Sequence, residues 1–371
     1  MNIENNAIAN REPLIRITKR AAISNVRAWA IRLAAVLCSL IVCALVIVAI
    51  TGENPIKVYA SIIDGAVGRS RRFWVTVREM MTLLIIAIGL TPAFKMKFWN
   101  IGAEGQLLMG GAATAALMLY FGDKVPNGLL LVLIFAGSSL AGMLWGVIPA
   151  FFKAWFNTNE TLFTLMLNYV AIQIINFCIV YWENPAGSNT VGIINSATQR
   201  GWLPKLFGLT YGWNVVIVLS ITLAMYIYMK YGKHGYEIAV VGESHNTARY
   251  AGIDVKKVII RTMLLSGAIC GLAGAIIVSG GSHTISVSTG GGRGFTAIIV
   301  AWMSKFHPGA MILVTAFLVF MQQGSVQIAT KFGLNENASD IITGIILFFL
   351  IGCEFFIQYK VELRRRKKEV Q

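Results

Sequence analysis

From Ala28 to Ile50 the chain carries one charged residue, Arg32, and apolar runs of similar character recur along it. A bilayer core offers no water to backbone N–H and C=O groups, so such runs can span it only as α-helices or as a closed β-barrel. About 20 apolar residues cross as a helix. A barrel would show ten-residue segments of alternating polarity, and the chain has none. Only 13% of the 371 residues are charged and the mean hydropathy is +0.67, whereas soluble domains are about a quarter charged. The chain therefore reads as an all-α, multi-pass integral membrane protein.

Spans are expected near 28–50, 75–94, 98–121, 128–152, 160–182, 213–230, 259–279, 294–304, 308–330 and 341–358. That makes about ten transmembrane helices. The eighth is short, about a dozen residues, and reads either as a broken or re-entrant half-helix buried in protein or as a full crossing; counting it gives ten spans with both termini inside. The first run is too long for a signal-peptide core and lacks an A-x-A site, so it is expected to remain as a helix. A basic tail (1–27), a transmembrane domain (28–358) and a second basic tail (359–371) follow. Two long polar stretches, 51–74 and 182–213, are expected outside, the first with room for an interfacial helix, and one, 231–258, inside.

The net charge is +15. Basic residues crowd the N-terminal tail (Arg11, Arg16, Lys19, Arg20, Arg27), the C-terminal tail (Arg364 to Lys368) and 230–261, the bias of loops held in the cytoplasm. Both termini are thus expected inside, with Arg69, Arg71 and Arg72 as the main exception. The tails suit anionic lipid headgroups rather than nucleic acid.

All five cysteines lie within apolar runs without a CxxC pair, so neither a disulfide framework nor a metal site is expected. His283 and His307 stand singly. There is no G-x-x-x-x-G-K-[ST], H-E-x-x-H or triad arrangement, so the chain is expected to be no enzyme, to need no cofactor and not to hydrolyse ATP itself.

Against this apolar background Asn100-Ile-Gly-Ala-Glu104-Gly-Gln106 stands out. Ionisable groups at membrane depth are costly and mark functional sites by default, and glycines beside them fit a broken or closely packed helix. Two readings of Glu104 stand: it lines a solute path with Asn100 and Gln106, or it pairs with Lys95 or Lys97 and anchors the helix. Asn159 reads as an N-cap with Glu160 in the first turn behind it. Asn168 and Gln173 lie deeper, as interhelical hydrogen-bonding groups or as contacts to a solute. Glycines at 280–281 and 290–294 flank the short eighth span. Gly142-x-x-x-Gly146 and Gly267-x-x-x-Gly271 read as packing within one bundle.

The inner loop contains Gly242-Glu243-Ser-His-Asn246-Thr-Ala248-Arg249-Tyr-Ala-Gly252-Ile253. Residues 243–250 read as a short amphipathic helix stopped by Gly252 and shaped to dock on another protein. This segment resembles the coupling loop of permease subunits of ABC importers serving branched-chain amino acids, simple sugars and nucleosides. Asn100 to Gln106, Thr164-Leu-Met-Leu-Asn168-Tyr and Gly294-Phe295-x-x-Ile-x-Val-Ala are similar to further signatures of that branch, most of all its nucleoside permeases. The resemblance runs from about residue 50 to 358. Trp302-Met-Ser-Lys305 departs from it, where small or aliphatic residues are common.

The resemblance implies a permease of the bacterial cytoplasmic membrane that imports nucleosides by ATP-driven alternating access. Its implied partners are a second homologous permease, two ATPase subunits and an extracytoplasmic binding protein or lipoprotein. It places Asn100, Glu104, Gln106, Asn168, Gln173 and Phe295 along the solute path, and Glu243, Asn246, Ala248, Arg249 and Gly252 at the ATPase. A simple sugar or riboflavin is the alternative cargo. An ion-coupled transporter working alone is the rival machine, with Glu104 and Glu160 in its favour.

Overall fold

The computed structural model describes residues 15–20, 23–52, 54–333 and 336–363; Arg11 and the basic run Arg364 to Lys368 lie outside them. The described chain is helical apart from one two-stranded ribbon, β1 (Ile15–Lys19) with β2 (Tyr359–Leu363). Its helices are α1 (Asn25–Thr51), α2 (Pro55–Val67), α3 (Ser70–Lys95), α4 (Ala103–Phe121), α5 (Asn127–Phe156), α6 (Glu160–Trp182), α7 (Gly212–Tyr231), α8 (Lys233–Glu243), α9 (His245–Tyr250), α10 (Val255–Ile277), α11 (Arg293–Met303), α12 (Pro308–Lys331) and α13 (Glu336–Gln358). Among the described residues eight helices are long and apolar enough to cross a membrane. Of the ten expected segments, those at α4 and α11 are outside that set. The polar first turn of α4 dilutes its hydropathy, and α11 has only 11 residues, or about 16 Å of helix. The all-α membrane architecture expected from the sequence is the one observed.

The chain forms two compact units, residues 1–66 with 321–371, and residues 67–320. In the smaller unit α1 packs along α13, tied by Arg32 to Glu354 at 2.6 Å. The antiparallel ribbon runs from Ile15 opposite Leu363 to Lys19 opposite Tyr359. Ordered structure thus extends past the boundaries at 28 and 358 expected from hydropathy. Residues 55–67 form a helix of their own with Val58, Ile62 and Ala66 buried.

The larger unit is built around α10, which packs against α5, α4 and α3. Its small residues allow this. A Cβ on Gly142 would collide with the carbonyl oxygen of Gly267, one on Gly271 with that of Ser138, and one on Gly274 with that of Leu107. The Gly-x-x-x-Gly pairs therefore bring backbones together inside one bundle. Beyond α10 the chain continues through a π-helical turn, Val278–Ser282, a feature frequent at functional sites. The irregular segment 183–211 folds back over this end, with Asn195 Nδ2 donating to Met118 O at 2.9 Å and Leu203 N to Ser279 O at 3.1 Å.

Replacing Gly271 by leucine leaves no space between α10 and α5. Overpacking costs about 1–3 kcal/mol where neighbours can shift, and a backbone carbonyl shifts least. Gly271→Leu is expected to lower the melting temperature in detergent by more than Gly352→Leu, where nothing lies within 4 Å of a Cβ.

Candidate solute site and coupling segment

At the end of α3 Lys97 takes a φ of 59° and Phe98 N donates back to Ala93 O at 2.9 Å. The chain is then non-helical until Ala103. A break inside apolar surroundings leaves backbone groups that must find partners, and the polar residues singled out by sequence supply them. Asn100 Oδ1 accepts from Gly102 N at 3.0 Å, and Thr164 Oγ1 from Ile101 N at 3.2 Å. Asn168 works from both ends of its amide: Oδ1 accepts from Gly105 N and Nδ2 donates to Ile101 O, each at 2.9 Å. Asn100 Nδ2 also donates to Ser266 Oγ at 3.2 Å, and Gln106 Nε2 to Asn100 Oδ1 at 3.3 Å.

Glu104, 6% exposed in the first turn of α4, uses both carboxylate oxygens on another element. Oε1 accepts from Gly292 N at 2.8 Å and Oε2 from Gly294 N at 2.7 Å. These are N–H groups at the start of α11, the end where a helix dipole favours an anion. Glycine is required here, since a Cβ on Gly290 or Gly294 would strike Glu104 itself. Among the described ion pairs Glu104 has none, so the anchoring partner is α11 rather than Lys95 or Lys97. α11 is a half-helix pinned at its N-terminus by a neighbouring carboxylate. Its other end carries Trp302, stacked on Trp99 at 5.5 Å between centroids and edge-on to Phe94 at 6.0 Å. The aromatic departure at Trp302 is thus a packing residue.

Asn100, Glu104, Gln106 and Asn168 are therefore brought together, buried, with their polar atoms engaged. Gln173 and Phe295 are not: Gln173 stands on an exposed face of α6, accepting from Asn176 Nδ2 at 3.3 Å, and Phe295 is 44% exposed. Asn159 caps α6, accepting from Thr161 N and Leu162 N, while Glu160 pairs with Lys153 at 2.8 Å.

Directly beyond the start of α11 lies a group that sequence reasoning missed. Glu79 on α3 receives Arg293 Nη2 at 2.7 Å on Oε2 and Arg78 Nη2 at 2.5 Å on Oε1. Arg78 lies over the Tyr211 ring at 5.2 Å. Arg78, Glu79 and Arg293, with Thr82 and the hydroxyls of the loop after α10, line a cavity of about 210 Å³. The rule that singled out Glu104, an ionisable group within an apolar span, applies equally to Glu79.

The inner loop folds as two helices rather than one. Ser244 breaks the expected 243–250 stretch, ending α8 at Glu243 and capping α9 by accepting from Thr247 N at 3.3 Å. Gly252, at φ +74°, closes α9, and Ile253 N donates to Ala248 O at 2.9 Å. Ala248 is fully buried in a cluster with Met96, Phe98, Ile238 and Val241. Glu243, Asn246, Arg249 and Gly252 are exposed, as is Tyr250 at 94%. Gly242 packs on the Lys95 carbonyl so closely that a Cβ would collide with it, which seats α8 against the end of α3. A cavity of about 590 Å³ opens beside α9, lined in part by Lys153, Asn157, Arg249 and Asp254.

Residues 75–351 match the family described as branched-chain amino acid transport system / permease component. The chain belongs to that family. It is 29% identical over 326 residues to the guanosine ABC transporter permease protein NupP of Bacillus subtilis (strain 168), covering 86% of this chain and 92% of that one. It is 27% identical over 362 residues to the glucose ABC transporter permease protein TsgB13 of Haloferax volcanii, covering 94% and 93%. To the nucleoside ABC transporter permease protein NupB of Lactococcus lactis subsp. cremoris (strain MG1363) it is 27% identical over 316 residues, covering 83% and 86%. The permease is a multi-pass membrane component of a transporter, as the sequence reading held.

Two predictions concern the geometry of the permease. Glu104→Ala leaves the buried Gly294 N–H without an acceptor, at about 1–3 kcal/mol, and strips the half-buried Gly292 N–H as well, whereas Glu104→Gln keeps one oxygen. Melting temperature is expected to fall in the order wild type, Gln, Ala, with faster deuterium uptake in the peptide spanning 290–296. On α8, His234 contacts Tyr228 Oη at 2.7 Å and Thr262 Oγ1 at 3.3 Å. Burial holds its pKa below the ordinary 6.5 despite the opposing pull of Glu237. The folded state thus favours neutral His234, whose contribution is full above the unfolded value and is lost as pH falls through the lower folded one. Stability is expected to drop as pH falls below the ordinary histidine value of 6.5, less steeply in His234→Gln.

Proposed function

We propose that the chain is the permease of an ATP-driven importer of nucleosides in a bacterial cytoplasmic membrane, with both termini inside. The observation that carries this is α9. It is a six-residue helix capped at both ends, anchored by a buried alanine, with its other side chains exposed. A capped, one-sided helix beside a large cavity supports docking to an ATPase subunit, with Glu243, Asn246, Arg249 and Gly252 on the contact face and Ala248 as the anchor. ATP-driven closure of two ATPases would move α8 and α9. Through Gly242 on Lys95 it would then shift the broken segment that holds α11, exposing the path to alternate sides.

In this reading Asn100, Glu104, Gln106 and Asn168 form the wall of the path by holding its broken elements. Phe295 faces outward from α11, and Gln173 is placed for a second permease on the exposed face of α6. A binding protein or lipoprotein delivers solute outside. Nucleosides are favoured because two of the three relatives above are named for them; glucose, the third relative's cargo, supports a simple sugar as alternative.

The test is copurification with coexpressed ABC ATPase subunits, then uptake of labelled guanosine into vesicles. Arg249→Glu is expected to reduce the retained ATPase about tenfold or more, the effect of losing an interface hot spot, without altering permease abundance. Uptake should survive collapse of proton and sodium gradients and stop without ATP. Gradient-dependent uptake by the permease alone would establish the ion-coupled rival instead.

A further inference from the structure

The geometry points to the cavity at Glu79 as a binding site for the neutral, polyhydroxylated ring of the solute, its sugar moiety. The inference rests on the import reading above. The cavity of about 210 Å³ equals the liquid volume of about seven waters, the scale of one furanose or pyranose ring. Its wall is a fence of hydroxyls: Thr82, Ser282, Thr284, Ser286, Ser288 and Thr289. A hydroxyl both donates and accepts, so such a fence matches vicinal diols, which do the same. Ser286 Oγ lies 3.0 Å from Ser288 Oγ and 3.3 Å from Thr289 Oγ1, close enough for one ring to meet several at once.

Charge narrows the class. Each guanidinium spends Nε and Nη2 on Glu79, and Arg293 Nη1 donates to Thr289 O at 3.1 Å and to Gly290 O at 3.3 Å. A phosphate would have to displace Glu79 from two arginines, and a cation would meet a carboxylate already shared between them. A neutral ring disturbs neither. Among the described residues no aromatic side chain lines the cavity, so they offer no face on which a nucleobase could stack, the contact that ordinarily holds bases. Arg293 sits between Gly292 and Gly294, the two residues whose N–H groups Glu104 holds. The floor of the cavity is therefore fixed to the element that α8 and α9 are proposed to move.

The experiment is saturation-transfer NMR on the purified full complex with guanosine, D-ribose, guanine and ribose 5-phosphate as separate probes, beside ATP-driven guanosine uptake. Expected are signals strongest on ribose protons, binding of ribose alone, and no gain from the phosphate. Thr284→Val and Ser288→Ala, which remove one hydroxyl each with little change of volume, are each expected to weaken ribose binding about two- to tenfold. Thr284→Ser is expected to restore it. Strongest transfer to base protons, tighter binding of ribose 5-phosphate, or unchanged affinity in both hydroxyl variants would overturn the assignment. The wild-type signals decide even where a variant fails to fold. ATP-driven uptake with no ribose contact defeats this site while the importer stands; ribose contact without ATP-driven uptake defeats the importer reading instead.

Discussion

A single carboxylate organises the larger unit. Glu104 would be an expense anywhere in an apolar bundle, and it is accommodated because two N–H groups of α11 face it at 2.7 and 2.8 Å. The interaction is mutual. The first N–H groups of a helix have no preceding turn to bond, and Glu104 satisfies two of them here. Glycines at 290 and 294 are the geometric condition for the contact. Around it the amides of Asn100 and Asn168 hold the break between α3 and α4. Asn100, Thr164, Asn168 and Glu104 each satisfy backbone that irregular structure has freed, and Gln106 braces the Asn100 amide.

Much of this was legible in the sequence, for identifiable reasons. Apolar runs of about 20 residues leave helices as the only option, and the span at 294–304 stood out as half their length. The break at 100–106 was visible because glycines and polar groups interrupt an apolar run. Asn159 announced itself as a cap by its place before Glu160 and an apolar stretch. Gly252 likewise announced the end of α9.

What stayed hidden was partnership. Glu104 and Gly292 are 188 positions apart, and no local pattern says that a carboxylate in one span will find amides in another. Lys95 and Lys97 were the nearer candidates by sequence, and the fold passed over them. Glu79 was overlooked because it follows Arg78 near the beginning of the apolar run expected at 75–94, where a charged pair reads as a span end in the headgroups. The helix break at Ser244 was equally obscure: Ser244 and Glu243 suit the interior of a short helix well enough until tertiary packing of Ala248 and Gly242 decides the angle.

The length of α11 carries a consequence for the work such a molecule must do. Eleven residues rise about 16 Å, roughly half of the ~30 Å hydrocarbon thickness. A hydroxyl-fenced hollow occupies the space beyond its N-terminus, so a polar solute there would already have exchanged bulk water for protein hydrogen bonds. Only the remaining half would stand as a dehydration barrier. On the importer reading, the stroke needed to admit a solute would then be that of a short rod pivoting about its pinned end, not the parting of a full bundle.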